Sequence, residues 1–388
     1  MAKMSSIELF AGAGGLALGL HSAGFTPKAV VEFNKDACRT LRANKLLTRG
    51  AGVYEGDVTK FDYLSVPETI ELISGGPPCQ PFSLGGKANG HDDARDMFPE
   101  AVRAIREKKP RAFVFENVKG LLRKSFFEYF EYIVLQLQYP SIEKKRNEEW
   151  EKHRERLEKH HTKNKYADLE YNVLYRLVNA ADYGVPQKRE RVFIVGFRSD
   201  VDANWSFPQS THSEDALLWS KWVTKEYWKK HKVQCSKMDE KTENRVERLK
   251  QKYGMFEPEL EPWVTVRDAI SDLPNPESKK ANEFNHHVFK GGAKIYPGHT
   301  GSYIDEPSKA LKAGGHGIPG GENMIRFEDG SVRYFTVRES ARIQTFPDDF
   351  DFEGSWGEVM RQLGNAVPAE LGKKVGQSIF RVLKPKST

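Results

Sequence analysis

Short apolar runs alternate with amphipathic stretches through the first two-thirds of the chain. SSIELF (5–10), KAVVEF (28–33), TIELIS (69–74) and RAFVFEN (111–117) have the length and composition of buried strands. Between them GLALGLHSAG (15–24), NKDACRTLRANK (34–45) and PEAVRAIREKK (99–109) carry helical patterns. Two more β-like runs, YNVLYRLVNA (171–180) and ERVFIVGF (190–197), flank the turn-rich DYGVPQK (182–188). This alternation predicts an α/β fold, a parallel sheet covered by helices.

Two stretches break the rhythm. Residues 141–165 are almost all charged; Glu148 with Lys152 and Glu155 with Lys159 have helix-supporting spacing, and Trp150 and Leu157 form a thin apolar stripe, which predicts a solvated helical insert. From about 200 to 305 the strand-helix alternation disappears, and Trp, Lys and Pro are scattered without a repeat, as in a second, smaller domain of irregular content. Pattern then returns: VRESARIQTFP (337–347) is helical until Pro347, and two helices flank GNAVP (364–368). The expected organisation is a first domain over 1–199, a second over 200–305, and a return to the first over 306–388. A cleft between the two lobes is the natural site.

Composition narrows the function classes. No apolar stretch approaches the roughly 18 residues that span a bilayer, and MAKMSSIELF has no hydrophobic signal core, so a cytoplasmic protein without a membrane partner is expected. The three cysteines, Cys38, Cys79 and Cys235, contain no Cys-x-x-Cys pair, and the paired histidines His160–His161 and His286–His287 sit in charged or loop-like sequence. Neither a disulfide framework nor a metal site is predicted. The formal charge of +6 is compatible with a polyanionic partner.

Two motifs carry chemistry. FAGAGGLALG (10–19) follows the first strand and opens a helix, where Gly12, Gly14 and Gly15 let the backbone approach a ligand closely. Gly12, Gly14 and Ala17 satisfy the Rossmann-like G-x-G-x-x-G/A spacing, and Glu32 ends the second strand about 20 residues on, where a ribose acceptor belongs. The spacing points to an adenosine cofactor and leaves a nicotinamide dinucleotide and other adenosine carriers open. The second motif is GGPPCQPFS (75–83), in which two glycines and two prolines stop a strand and present Cys79 on a turn. A free thiol titrates near a pH of about 8.5, so a nucleophilic Cys79 needs a site that captures or enlarges its thiolate fraction.

Taken with the later segments, the chain resembles the DNA (cytosine-5) methyltransferase family, most closely its bacterial restriction-modification enzymes, in consistent order over nearly its whole length. IELFAGAGGL is similar to the family's S-adenosyl-L-methionine loop, GGPPCQPFS to its nucleophile motif, FENV (115–118) to its glutamate motif and QKRERVFIVG (187–196) to its arginine motif. RESARIQTFPDDF and GNAVP resemble its two carboxy-terminal motifs. The resemblance implies a Rossmann-like methyltransferase domain joined to a target-recognition domain. It implies that Cys79 attacks carbon 6 of a flipped cytosine, that Glu116 acts at ring nitrogen 3, and that Arg191 contacts the base carbonyl oxygen and supports the Cys79 loop. It further implies cofactor contacts from Phe10, Gly12, Gly14, Glu32, Phe33, Asp57, Val58, Pro78 and Asn365, DNA contacts from Gln80 and Ser83, and for Arg189 a structural or DNA-backbone-binding role. Asn117 is read as shaping the turn, and the segment from Pro81 to Met97 as a loop closing over DNA. Double-stranded DNA is the implied partner of a monomer, with a cognate restriction endonuclease acting on the same site. The same chemistry on transfer RNA, a catalytically inactive DNA-binding module and a nicotinamide dehydrogenase are the competing readings. The large middle lobe favours DNA over RNA, and the dehydrogenase leaves Cys79 and its prolines without purpose.

Overall fold

The computed structural model describes residues 4–48, 51–66, 69–78, 96–163, 168–297, 299–313 and 323–384. The chain forms two compact units: 1–178 with 190–207 and 372–388, and 179–189 with 208–371.

The first unit is built on a sheet of β1 (Met4–Leu9), β2 (Phe25–Glu32), β3 (Gly52–Glu55), β4 (Leu72–Gly75), β5 (Ala112–Val118), β6 (Tyr171–Asn179) and, after the two-residue β7 (Gln187–Lys188) of the second unit, β8 (Glu190–Arg198). The strand order is β3-β2-β1-β4-β5-β8-β6. β3, β2, β1, β4 and β5 are mutually parallel, whereas β8 runs antiparallel to β5. The central strands are buried nearly throughout, as expected where helices cover both faces. Each sequence-predicted strand of this unit is present.

Helices α1 (Gly15–Ala23), α2 (Lys35–Ala43), α3 (Lys45–Thr48), α4 (Phe98–Lys108), α5 (Phe127–Gln138) and α6 (Trp150–Thr162) belong to this unit. Ile7, Leu9, Phe113, Phe115 and Ile194 pack with Ala101 and Ile105 of α4 and Phe130 and Ile133 of α5 in one core. Fully burying each such large side chain contributes about 1.5–3 kcal/mol. The charged insert forms the predicted helix, α6, with Leu157 buried and Trp150 against Tyr129 and Tyr132. Its His153 is also buried, bonded to the Tyr132 hydroxyl at 2.9 Å and the Ile142 carbonyl at 2.7 Å. Desolvation holds this imidazole below its ordinary pKa.

The second unit contains α7 (Glu214–Trp222), α8 (Glu226–His231), α9 (Glu240–Tyr253), α10 (Val266–Ile270), α11 (Val337–Ile343), α12 (Trp356–Asn365) and several two- and three-residue strands. The return to the first unit, expected at 306, comes at Gly372. Phe335 and Ile343 bury against Val266, Ile270, Leu311 and Ile325, which ties 323–343 to the second unit. Of the late helices only α13 (Ala369–Leu383) lies mainly in the first unit, where a Cβ on Gly376 would come within 2.8 Å of Leu20 and 2.9 Å of Ala23 on α1.

Strand register also fixes Gly196 opposite Phe113, where a Cβ would lie 2.2 Å from the ring. Gly196→Ala is expected to lose about 1–3 kcal/mol through overpacking. Thermal unfolding should show the loss, with part of it recovered in the Phe113→Leu, Gly196→Ala double variant.

Candidate active site

Parallel strands deliver their carboxyl ends to one edge of the sheet, and the expected chemistry lies in the connections that leave this edge. After β1 the chain enters positive φ at Phe10 (53°), Gly12 (55°) and Gly14 (85°), and α1 begins at Gly15. Gly14 is closely enclosed: a Cβ there would meet Leu47 at 2.6 Å and Leu41 at 2.9 Å. Gly12 is the opposite case, with no atom within 4 Å of a Cβ built on it, so the backbone there borders open space.

Glu32, at the end of β2, ties this loop down. Its Oε2 accepts from the Gly12 amide at 2.7 Å and its Oε1 from the Asn34 amide at 2.6 Å. A carboxylate oxygen retains a further lone pair, so both bonds are compatible with a ribose hydroxyl donating to Glu32. The neighbouring Phe33 is 76% exposed, an apolar ring available for an adenine face. Past β3, Asp57 caps the short turn 58–60 by accepting from the Thr59 amide at 3.0 Å. These Thr59 bonds hold the Asp57 carboxyl below its ordinary range. Val58 is buried and its carbonyl accepts from Arg103 of α4 at 2.8 Å, an anchor that the motif reading did not include. The open backbone at Gly12, the hydroxyl acceptor and the exposed ring fit an adenosine group.

β4 leads through Gly75 and Gly76 to Pro77 and Pro78. The Pro77 carbonyl accepts from the Asn117 side chain at 3.0 Å, and the Pro78 carbonyl accepts from the Met97 amide at 3.2 Å. Asn117 therefore does shape this turn, while Met97 was not foreseen. Pro78 itself is exposed. Cys79, Gln80 and Ser83, with most of the proposed closing loop, lie outside the described residues. The chain on the far side of that segment is held by Asp96, which accepts from the Tyr129 hydroxyl.

Glu116 and Arg191 are brought together by the reversed strand. Val118 pairs with Arg191 across β5 and β8, so Glu116, two residues earlier, is a diagonal neighbour on the same face. Arg191 Nε lies 2.6 Å from Glu116 Oε1, and both side chains are largely buried. The contact is a charge pair rather than an aligned hydrogen bond, since Oε1 has no hydrogen-bond partner of good geometry. Gly76 borders the other oxygen, with a built Cβ 3.4 Å from Glu116 Oε2.

Arg189 requires a correction. It is 0% exposed, and its guanidinium donates to the carbonyls of Leu311 at 3.0 Å and Gly364 at 2.7 Å within the second unit. Such a side chain is a structural anchor and does not reach a phosphate. Asn365 is exposed at the end of α12 in the second unit. Cys38 is excluded as a nucleophile, because burial and the nearby Glu32 carboxylate push its thiol up to about 12. A cavity of about 610 Å³ in the second unit is lined by Arg267 and Arg333, both already paired with Asp305 and Glu339, and offers no unpaired arginine for a phosphate. No cluster of metal-ligating side chains occurs among the described residues.

This sheet, with its glycine loop and its acid-arginine pair, defines an α/β methyltransferase. The chain matches the family described as C-5 cytosine-specific DNA methylase over residues 4–139 and 148–381 and belongs to it. It is a DNA cytosine-5 methyltransferase. It is 34% identical to the type II methyltransferase M.PspPI of Psychrobacter sp. (strain TA137) over 98% of this chain and 79% of that protein. It is 30% identical to M.NgoMIV of Neisseria gonorrhoeae, covering 98% and 99%. Among solved structures, the Entamoeba histolytica methyltransferase EhMeth shares the fold with a TM-score of 0.56 at 15% identity, over 99% of this chain and 100% of that one.

Glu32→Gln replaces one acceptor oxygen by an NH2 group and must lose one of the two amide bonds. A lost bond to a charged acceptor costs about 1.5–3 kcal/mol, so S-adenosylmethionine affinity measured by calorimetry should fall by about tenfold or more.

Proposed function

We propose that this chain methylates carbon 5 of a cytosine flipped out of double-stranded DNA, as the modification enzyme of a restriction-modification pair whose endonuclease cuts the same site. The observation that carries the residue-level reading is the Glu116–Arg191 pair beside the fastened Pro77–Pro78 approach to Cys79. The type II relatives support the biological setting.

S-adenosyl-L-methionine, when bound, supplies an electrophilic methyl on a sulfonium. Gly12, Gly14, Glu32, Phe33, Asp57 and Val58 bind and orient it, with Phe10 and Pro78 completing the contacts of this unit. The Cys79 thiolate adds to carbon 6 of the cytosine, which makes carbon 5 enamine-like and nucleophilic. Negative charge moves toward ring nitrogen 3, where Glu116 acts as the acid, and Arg191 orients both Glu116 and the base carbonyl. After methyl transfer, a water takes the carbon 5 proton, its electron pair re-forms the carbon 5–carbon 6 double bond, and the carbon 6–sulfur bond breaks to return Cys79 as the thiolate. Flipping the base costs a few kcal/mol and is offset by protein contacts, to which Gln80 and Ser83 contribute.

The second unit reads the DNA sequence. Residues 284–304 contain no Asp or Glu and expose Lys294 and Tyr296, with the Tyr296 ring tilted against His299 at 4.3 Å between centroids. Such a segment suits base edges flanked by phosphates. Replacing Lys294 by Gln should weaken DNA binding and reduce the slope of log affinity against log salt by about one. Titration at several salt concentrations would show it.

Incubation with tritiated S-adenosylmethionine and duplex DNA containing 5-fluorocytosine tests the chemistry. A covalent adduct is expected that is absent with Cys79→Ser; an adduct that survives this substitution would sink the mechanism. Strong labelling of RNA without DNA would favour the RNA reading instead.

A further inference from the structure

Glu8 has no part in the mechanism above, yet it is a carboxyl that is 2% exposed in the middle of the sheet. It faces Ser74 across β1 and β4, in direct register, and the buried Ser74 hydroxyl is hydrogen-bonded to Glu8 Oε2. The border between these strands is where the sheet order reverses, with β2 and β3 on one side and β5 on the other. One residue further along, Leu9 pairs with Gly75, and a Cβ on Gly75 would lie 2.3 Å from the Leu9 carbonyl. Beyond that close approach β1 becomes the glycine loop and β4 becomes the run toward Cys79.

We propose that Glu8 and Ser74 are positioning residues, a cross-strand clamp that sets the spacing between the cofactor loop and the Pro77–Pro78 run. The inference rests on the reading that these two loops form one reaction site. Burial pushes Glu8 up to about 8, with the Ser74 bond opposing it. Val30 is the residue opposite Glu8 on β2 and Ser74 the residue opposite it on β4. Ser74 Oγ donates to Glu8 Oε2 and has the Ile7 carbonyl at 3.4 Å as a second acceptor, so when Glu8 is protonated it can donate to Ser74 Oγ while the Ser74 hydrogen turns to Ile7. An ionised Glu8 is a buried charge, and its relief is to separate the strands and admit water.

The sign of the linkage is fixed by the raised value. Between the ordinary carboxyl value of 4.5 and about 8, the unfolded chain releases a proton that the folded chain keeps, so the Glu8 contribution to stability falls as pH rises across this window. Glu8→Gln mimics the protonated acid: its amide donates to Ser74 and does not titrate.

The test uses the full chain with Glu8→Gln, Glu8→Ala and Ser74→Ala, measuring melting temperature and S-adenosylmethionine affinity from pH 5 to pH 9. Glu8→Gln should hold its affinity at pH 9, while the parent loses about tenfold between pH 7 and pH 9, the change in the protonated fraction of a group titrating near 8. The melting temperature of the parent should fall relative to Glu8→Gln between pH 5 and pH 8. Glu8→Ala and Ser74→Ala should bind the cofactor more weakly at every pH. Parallel pH profiles for parent and Glu8→Gln, or a Glu8→Gln variant as impaired as Glu8→Ala, would overturn the proposal. Melting and cofactor affinity do not depend on Cys79 chemistry, so failure here is distinguishable from failure of the adduct assay.

Discussion

The direction of the strands is the constraint from which this protein's chemistry follows. β1 to β5 run parallel, so the glycine loop, Glu32, the Asp57 turn, the Pro77–Pro78 run and Glu116 are all delivered to one edge of the sheet. A parallel neighbour beyond β5 would have carried its first residues to the opposite edge. Because β8 is reversed, its opening residues arrive beside the end of β5, and Arg191 comes within 2.6 Å of Glu116. Glu116 and Arg191, separated by 75 positions in sequence, become neighbours through strand polarity alone.

Arginine has a second use in this fold. Arg189 bonds the Leu311 and Gly364 carbonyls, Arg103 bonds those of Val58 and Phe61, and the wholly buried Arg338 bonds those of Asn285, Pro347 and Phe350. A planar guanidinium has five donors in a fixed fork, which suits it to gathering carbonyls from segments that share no strand ladder. Burial draws Arg338 below its ordinary pKa despite the acids around it. A simple count of positive side chains therefore overstates the charge available to a polyanion, since these guanidinium groups are internal struts.

The strands, the glycine loop and the turn at Asn117 were legible because they depend on local pattern and backbone geometry. Only the motif separates Arg191 from Arg189 in the sequence: two apart on one strand they would share a face, but the chain passes from one unit to the other between them. The domain return was misplaced for a related reason. A helical pattern such as 337–343 shows that a face will be buried without showing which core receives it, and Ile343 entered the cluster around Val266. His153 was hidden because a buried imidazole within a charged run looks like its solvated neighbours. Glu8 was passed over as an ordinary member of the glycine motif, since its burial depends on strands that are distant in sequence.

The placement of α13 bears on how the chain matures during synthesis. Phe380 stacks edge-on against Phe25, Trp205 bonds Ser378 at 3.0 Å, and Arg111 reaches the Leu383 carbonyl at 2.9 Å. The sheet is encoded by Arg198, but the surface that α13 covers stays bare until residues 369–383 leave the ribosome. At about 5–20 residues per second, that interval is roughly ten to forty seconds. The nascent methyltransferase thus spends its translation with an apolar face open, a window in which a chaperone has something to hold.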